Sequence, residues 1–524
     1  MLGRPTDHSV TVSVLFSEPV LAYFVYGKSP ADLSLATDTA FSQAGAPLVM
    51  DLQDLASDTR YYYRTVYKKP AGGNFIFGPT RTFHTQRAPG SPFTFLIEAD
   101  EHLYDKKGVL RLYAICVQNQ AQDSADFMLS LGDTFGDDHT PLETGSEDMR
   151  LLHLDYRQYL GKVCHSMPFF FCLGNHEGES GYWLDQTPPE NIAVYGTLWR
   201  KFYYPNPVPN DYYSGNATVE PYGIGLPENY YAFTWGDALF VILDVYRDCD
   251  INEKPKNWDW TLGKTQYDWL KSTLENSTAA RKFVFAHHNR GQGRGACFLP
   301  AAMSGAATEI MATETGNSVK CGPAGICRFT NLWSRTGEIF FFQGHDHLYA
   351  REEMDGLIYQ EVPMPSDSTY QLGMLENADA YTDITLDGSV HLRVKIEPSC
   401  ITVDYVAAYL PEDTLGLRKN REIRYSYTTG ACATPTGGGN AVDGPFFEVF
   451  PNPASEKITI KAKNIAGFDR PMDLFDVQGR PVGSTILKAG DPTCDLELSR
   501  LHQEIYFLRI TDGSTVAARK ILLD

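Results

Sequence analysis

The chain has 524 residues, of which 43% are hydrophobic and 21% charged, with 30 tyrosines and 29 phenylalanines. A chain this long holds more than one domain, because a single core rarely grows past about 250 to 300 residues, and the composition is that of a folded soluble protein. A formal charge of -20 argues against a nucleic-acid backbone as partner, and no apolar run reaches the roughly 18 residues of a membrane span.

Up to about Arg87, period-two runs alternate with turn-rich stretches: Val10-Thr11-Val12-Ser13-Val14, Ala22 to Gly27 and Tyr61 to Val66. This alternation predicts a small β-sandwich of fibronectin type III character over residues 1–88, with a structural or substrate-shaping role. The start, Met1-Leu2-Gly3-Arg4-Pro5, is not a charged-then-apolar signal sequence.

From 91 to 425, apolar strands alternate with helical spacing, over Gly108 to Gln122, Leu151 to Leu160 and Gln266 to Leu274, which predicts an α/β core. Five of the strands share one construction, an apolar run that stops at metal-capable residues. Phe95-Leu96-Ile97 leads to Asp100-Glu101-His102, Phe127 to Leu131 leads to Gly132-Asp133, and Phe169 to Leu173 leads to Gly174-Asn175-His176-Glu177. Phe283 to Ala286 leads to His287-His288, and Ile339 to Phe342 leads to Gly344-His345-Asp346-His347. Ligands gather at the carboxyl ends of strands in open sheets, so five such ends can build one site. Together they supply two aspartates, an asparagine and four or five histidines, enough for two cations and too many for one. The asparagine can lend a carbonyl oxygen to a hard cation, and His176, one residue on, can protonate what the cation holds.

Between Tyr182 and Tyr231 the chain is rich in Pro, Tyr, Trp and Asn with little periodicity, and reads as an irregular insertion at the mouth of the site. Arg290 and Arg294 follow His287 in a Gly-rich stretch and can grip non-bridging phosphate oxygens. Cys297, Cys321 and Cys327 lie together where a disulfide can pin a loop in an exported protein, whereas Cys116, Cys164 and Cys172 sit in apolar runs and read as inert core thiols. Residues 426–445 contain the low-complexity link Thr434 to Asn440, and 446–524 alternate again, as in Lys457-Ile458-Thr459-Ile460, predicting a second small β-sandwich.

The ordered set Asp100-x-His102, Gly132-Asp133, Gly174-Asn175-His176-Glu177, His287 and Gly344-His345-Asp346-His347 resembles the signature of the calcineurin-like metallophosphoesterases. With the N-terminal sandwich, the layout is similar to the purple acid phosphatases. The resemblance implies a four-layer α/β/β/α sandwich flanked by two small all-β domains. It also implies two divalent or trivalent ions (Zn, Mn or Fe), one held by Asp100, His102, Asp133 and His347, the other by Asp133, Asn175, His287 and His345, with His288 the rival of His287. The implied reaction is hydrolysis of a small phosphate monoester by a metal-bridging hydroxide, with His176 protonating the leaving group and Glu177 or Asp346 orienting an imidazole. The purple enzymes carry a metal-binding Tyr where this chain has Gly136, and lack a His at the place of His102. Tyrosinate colour is therefore not expected, and a phosphodiesterase with the same site is the alternative; an exported non-catalytic binding or adhesion protein is a third reading. Phe450-Pro451-Asn452-Pro453, Leu474 to Arg480 and Ile505 to Ile510 resemble the sorting domain of the type IX secretion system. That implies a partner in the secretion machinery and a place at the cell surface or in the medium of a Gram-negative bacterium; since the route needs a signal peptide, the chain is read as trimmed at its start.

Overall fold

In a computed structural model, the chain is described over residues 1–104, 108–134, 143–184, 190–248, 262–288, 338–354, 357–372, 384–414, 418–430, 432, 447–462, 467–476, 481–499, 501–502, 505–512 and 515–523. Arg290, Arg294, Gly136, Cys297, Cys321 and Cys327 lie outside them.

Two sheets face each other in the central domain. The first runs in the order Phe169–Phe171, Phe127–Ser130, Phe93–Glu98, Ser389–Glu397, Cys400–Ala408, Ile423–Gly430. Its first three strands are mutually parallel and the others antiparallel. In the second sheet, Ala238–Ile242, Arg281–Phe285, Glu338–Gln343 and Leu357–Glu361 lie side by side and parallel.

Period-two side-chain alternation makes this a four-layer structure. Along the first sheet, Phe95, Phe127 and Phe170 point inward and meet Phe233, Phe240, Phe283 and Phe285 of the second in one buried cluster. Rings from opposite sheets touch: Phe95 and Phe240 are 5.2 Å apart edge to face, Phe127 and Phe233 5.8 Å. The alternate residues Leu96, Met128, Phe169 and Phe171 point outward and pack under Tyr113, Val117, Tyr156 and Leu160 of helices Leu110–Gln120 and Ser146–Leu160. On the far side, Leu239, Val241, Val284 and Phe341 pack under Leu270 and Leu274 of helix Gly263–Asn276. The predicted α/β class and the helices near 108–122, 151–160 and 266–274 are thus present.

The insertion after Tyr182 is not wholly irregular. It holds a helix, Ile192–Tyr203, capped by the Asn191 side chain, which accepts from Val194 N at 3.1 Å.

An all-β region flanks the central domain at each end. Residues of the N-terminal part form a three-stranded and a six-stranded sheet with Phe24, Tyr61, Tyr63 and Phe83 between them. It is tied to the central domain by Leu2 N to Cys164 O at 2.6 Å and Tyr63 Oη to His165 O at 2.7 Å. At the other end, strand Thr515–Leu522 pairs antiparallel with Ile505–Asp512 and also meets Ile384–Leu386 of the central domain, Ala518 opposite Thr385. Cys400 and Cys432 form a disulfide, as suits an oxidising compartment, while Cys116, Cys164 and Cys172 are buried free thiols whose burial raises their pKa.

Candidate metal centre

Three parallel strands of each sheet end at the same rim. Immediately beyond them stand Asp100 and His102, Asp133, and Asn175 with His176 from the first sheet, and Tyr246, His287, and His345 with His347 from the second. The apolar strands end because the backbone must turn sharply, and it does so in an unusual way. Asp100, His102, Asp133, His345 and His347 all have positive φ, from 41° to 83°, a left-handed conformation that costs a non-glycine residue free energy and clusters at functional sites. The loops also approach very closely: a Cβ on Gly132, φ +93°, would lie 2.3 Å from Gly174 N, and one on Gly344 2.6 Å from Asp100 Oδ2.

The side chains converge. Asp100, His102 and His347 form one cluster, Asp133, His287 and His345 another, and His102, Asp133 and His176 a third between them, each with its ligand atoms within 4.8 Å of one another. His102 Nε2 is 3.0 Å from His347 Nε2, and His347 Nε2 is 3.4 Å from Asp100 Oδ1. Asp133 Oδ2 lies 3.0 Å from His287 Nε2, 3.7 Å from His176 Nε2 and 3.9 Å from His102 Nε2. His345 Nδ1 is 3.3 Å from His287 Nε2. Asp100, His102 and His287 are fully buried, whereas Asn175 and His345 remain partly open.

Hydrogen bonds on the outward-facing atoms hold these groups in place. The His287 Nδ1 faces Leu131 O at 2.9 Å, which fixes the tautomer and turns Nε2 toward the carboxylates. Asp100 Oδ2 accepts from His345 N at 2.8 Å and Asp133 Oδ1 from His176 N at 2.8 Å. The Glu177 carboxylate accepts from the backbone amides of Gly174, Asp133 and Thr134 at 2.5, 3.1 and 2.8 Å. It ties the Asp133 loop to the Asn175 loop, and among the described residues no imidazole is hydrogen-bonded to it. Below Asp100, Glu101 accepts from Ser130 Oγ at 2.7 Å and Tyr156 Oη at 3.1 Å.

The electrostatics are those of a cation site. Burial, then the charge of Asp133, raises Asp100 well above the usual carboxylate range. Burial works the same way on Asp133, but the imidazoles of His287 and His176 outweigh it and hold that carboxyl well below its usual range. Burial and neighbouring imidazoles push His345 and His347 far down, leaving them neutral with lone pairs to give. Among the described residues, Asp100 Oδ1 and His347 Nδ1 are buried without a hydrogen-bond partner, and an orphaned carboxylate oxygen is costly unless a cation meets it. The donor set of carboxylate and imidazole therefore fits divalent metal ions.

Sequence reasoning missed Tyr246. It follows the buried strand Ala238–Ile242 in the stretch Leu243-Asp244-Val245-Tyr246, a sixth strand end built like the other five, and that repetition was the available signal. The neighbouring His288, the rival ligand of His287, instead stacks its ring on His345 at 4.5 Å.

Residues 93–349 match the family model of the calcineurin-like phosphoesterases, and residues 448–524 match that of the secretion system C-terminal sorting domain. The central domain is thus a calcineurin-like phosphoesterase domain with the metallophosphoesterase fold. Its C-terminal sorting domain addresses the chain to type IX secretion, to the cell surface or the extracellular space. Among solved structures the fold is similar to that of PhoD, with a TM-score of 0.58 and 16% identity over 85% of this chain and 94% of that one. Weaker likenesses are to GAP50, the anchor in the inner membrane complex of Plasmodium (TM-score 0.36, 14% identity, 66% of this chain and 90% of that one), and to a dimetal phosphatase from Danio rerio (0.35, 13%, 60% and 97%). No curated protein sequence matches the chain.

Proposed function

We propose that the chain hydrolyses phosphate monoesters at a binuclear metal centre. The observation that carries this reading is the position of Asp133, whose Oδ2 lies within 3.9 Å of imidazole nitrogens from both ligand clusters, where one carboxylate can serve two cations. In this reading Asp100, His102, Asp133 and His347 hold one ion, and Asp133, Asn175, His287 and His345 the other. Bound ions of this kind supply an acidified water and neutralise charge on the phosphoryl oxygens.

The chain's own residues do the rest. His176 is anchored through its backbone to Asp133 and holds its ring between the two clusters, Nε2 3.7 Å from Asp133 Oδ2, where it gives a proton to the departing ester oxygen. Glu177 keeps the Asp133 and Asn175 loops in register and so sets the ring's position.

The test is a pair of assays on purified, metal-loaded protein, with nitrophenyl phosphate and bis-nitrophenyl phosphate. Preferential release from the monoester supports the reading. Preference for the diester moves the substrate class to phosphodiesters, the alternative that His102 in the first cluster also fits, and no turnover of either leaves an exported binding protein.

A further inference from the structure

Three of the candidate ligands are steered by a hydrogen bond from the protein backbone or to it: Asp100 by His345 N, Asp133 by His176 N and His287 by Leu131 O. Asn175 is different. Among the described residues, the one group hydrogen-bonded to its side chain is the Tyr246 hydroxyl, 3.3 Å from Oδ1. A carboxamide has an oxygen end and an NH2 end, and a cation accepts only the oxygen. We infer that Tyr246 is a positioning residue of the metal centre: its O–H donates to one lone pair of the Asn175 oxygen and leaves the other for a cation. This rests on the proposed role of Asn175 as a ligand.

Tyr246 is built for that task. Its ring is buried, 6.0 Å from the His287 ring and stacked 6.4 Å from that of His288. Its backbone is held at both ends, N–H to Asp244 Oδ1 at 2.9 Å and carbonyl from Gly181 N at 3.0 Å. Asp244 is fixed in turn by Asn229 Nδ2 at 2.7 Å and by Gln266, whose Oε1 accepts from Asp244 N at 2.9 Å. One residue on, Arg247 donates to Glu179 O at 2.7 Å. The Tyr246 turn and the loop that carries Asn175 and His176 are therefore bolted together, and burial of the ring beside His287 and His288 keeps the phenol turned toward Asn175. Asn175 itself is partly open, so without the phenol its amide rotates and offers the NH2 end inward.

Tyr246→Phe deletes the hydroxyl and keeps the ring. Calorimetric titration of metal-free protein with Zn2+ or Mn2+ tests the inference, with circular dichroism and the metal-free melting temperature as the readout of folding. The expected result is two binding events in the wild type, one of them weakened about 10- to 100-fold in Tyr246→Phe and abolished in Asn175→Ala, with folding unchanged. Wild-type affinity at both events in Tyr246→Phe, while Asn175→Ala loses one, overturns the role of Tyr246 and leaves the proposed function standing. Unaltered binding by Asn175→Ala overturns the ligand assignment, and the inference with it.

Discussion

His176 and His153 show how one residue type divides between chemistry and packing. His176 stands beside Asp133, its Nε2 3.7 Å from Oδ2, and outside both proposed ligand quartets, so in the proposed reading its loss removes a proton donor and leaves the metal ions in place. His176→Ala is expected to lower turnover about a hundredfold to ten-thousandfold with metal content unchanged, as read by steady-state assay beside elemental analysis; full turnover in the variant excludes the proton-donor role. His153 belongs to none of the ligand clusters and lies on the buried face of helix Ser146–Leu160, where burial lowers its pKa to about 3. With the folded value depressed, its contribution to stability is intact above the unfolded pKa of about 6.5. It declines as pH falls, by about 1.4 kcal/mol per unit, because the unfolded chain takes up a proton that the folded chain refuses. Burial lowers His165 likewise, to about 4. Urea unfolding should therefore show stability falling from pH 6.5 toward pH 4, with a shallower slope in His153→Gln; equal slopes would show that His153 does not set it.

At the scale of strands and loops, the site depends on the touching turns after Phe127–Ser130 and Phe169–Phe171. Gly132→Ala places a methyl group 2.3 Å from the Gly174 amide at a φ of +93°, so the two loops must part and the Glu177 bridge must break. The expected outcome is loss of metal binding together with a lowered melting temperature; wild-type metal content in that variant would mean that the loops tolerate separation. Much of this arrangement is legible in the sequence, because an apolar run halted by Asp, Asn or His is a local pattern. Two elements are not. Helix Ile192–Tyr203 buries Gly196, Thr197 and Arg200 beside Ile192, Ala193, Val194 and Tyr203 and leaves Phe202 exposed, so residue type does not mark the buried side as it does on a simple amphipathic helix. Tyr246 escapes because a phenol is not an obvious ligand and its partner, Asn175, is 71 residues away. The positive φ angles of the candidate ligand residues are equally invisible, since only the packed loops impose them.

Over the whole molecule, each sheet contributes half of the centre, and neither half is a site alone: Asp100, His102 and Asp133 come from one, His287, His345 and His347 from the other. The aromatic layer between the sheets fixes their separation, and truncating a ring such as Phe240 or Phe283 is the kind of change that costs about 3 to 5 kcal/mol. The sorting domain supplies none of these ligand residues. Four of its strands continue the second sheet beyond Ile384–Leu386, and three strands separate them from Glu338–Gln343, so a chain ending before residue 448 is expected to keep its kcat and melt at a lower temperature; loss of activity at a temperature where the shortened chain is folded would bring the tail into the site. Ion counting by mass spectrometry on wild type and Asp133→Ala decides whether both sheets meet at one shared carboxylate. Two ions per wild-type chain and fewer than one in Asp133→Ala are expected; two ions retained without the residue 133 carboxylate would show that the two halves bind metal independently of it.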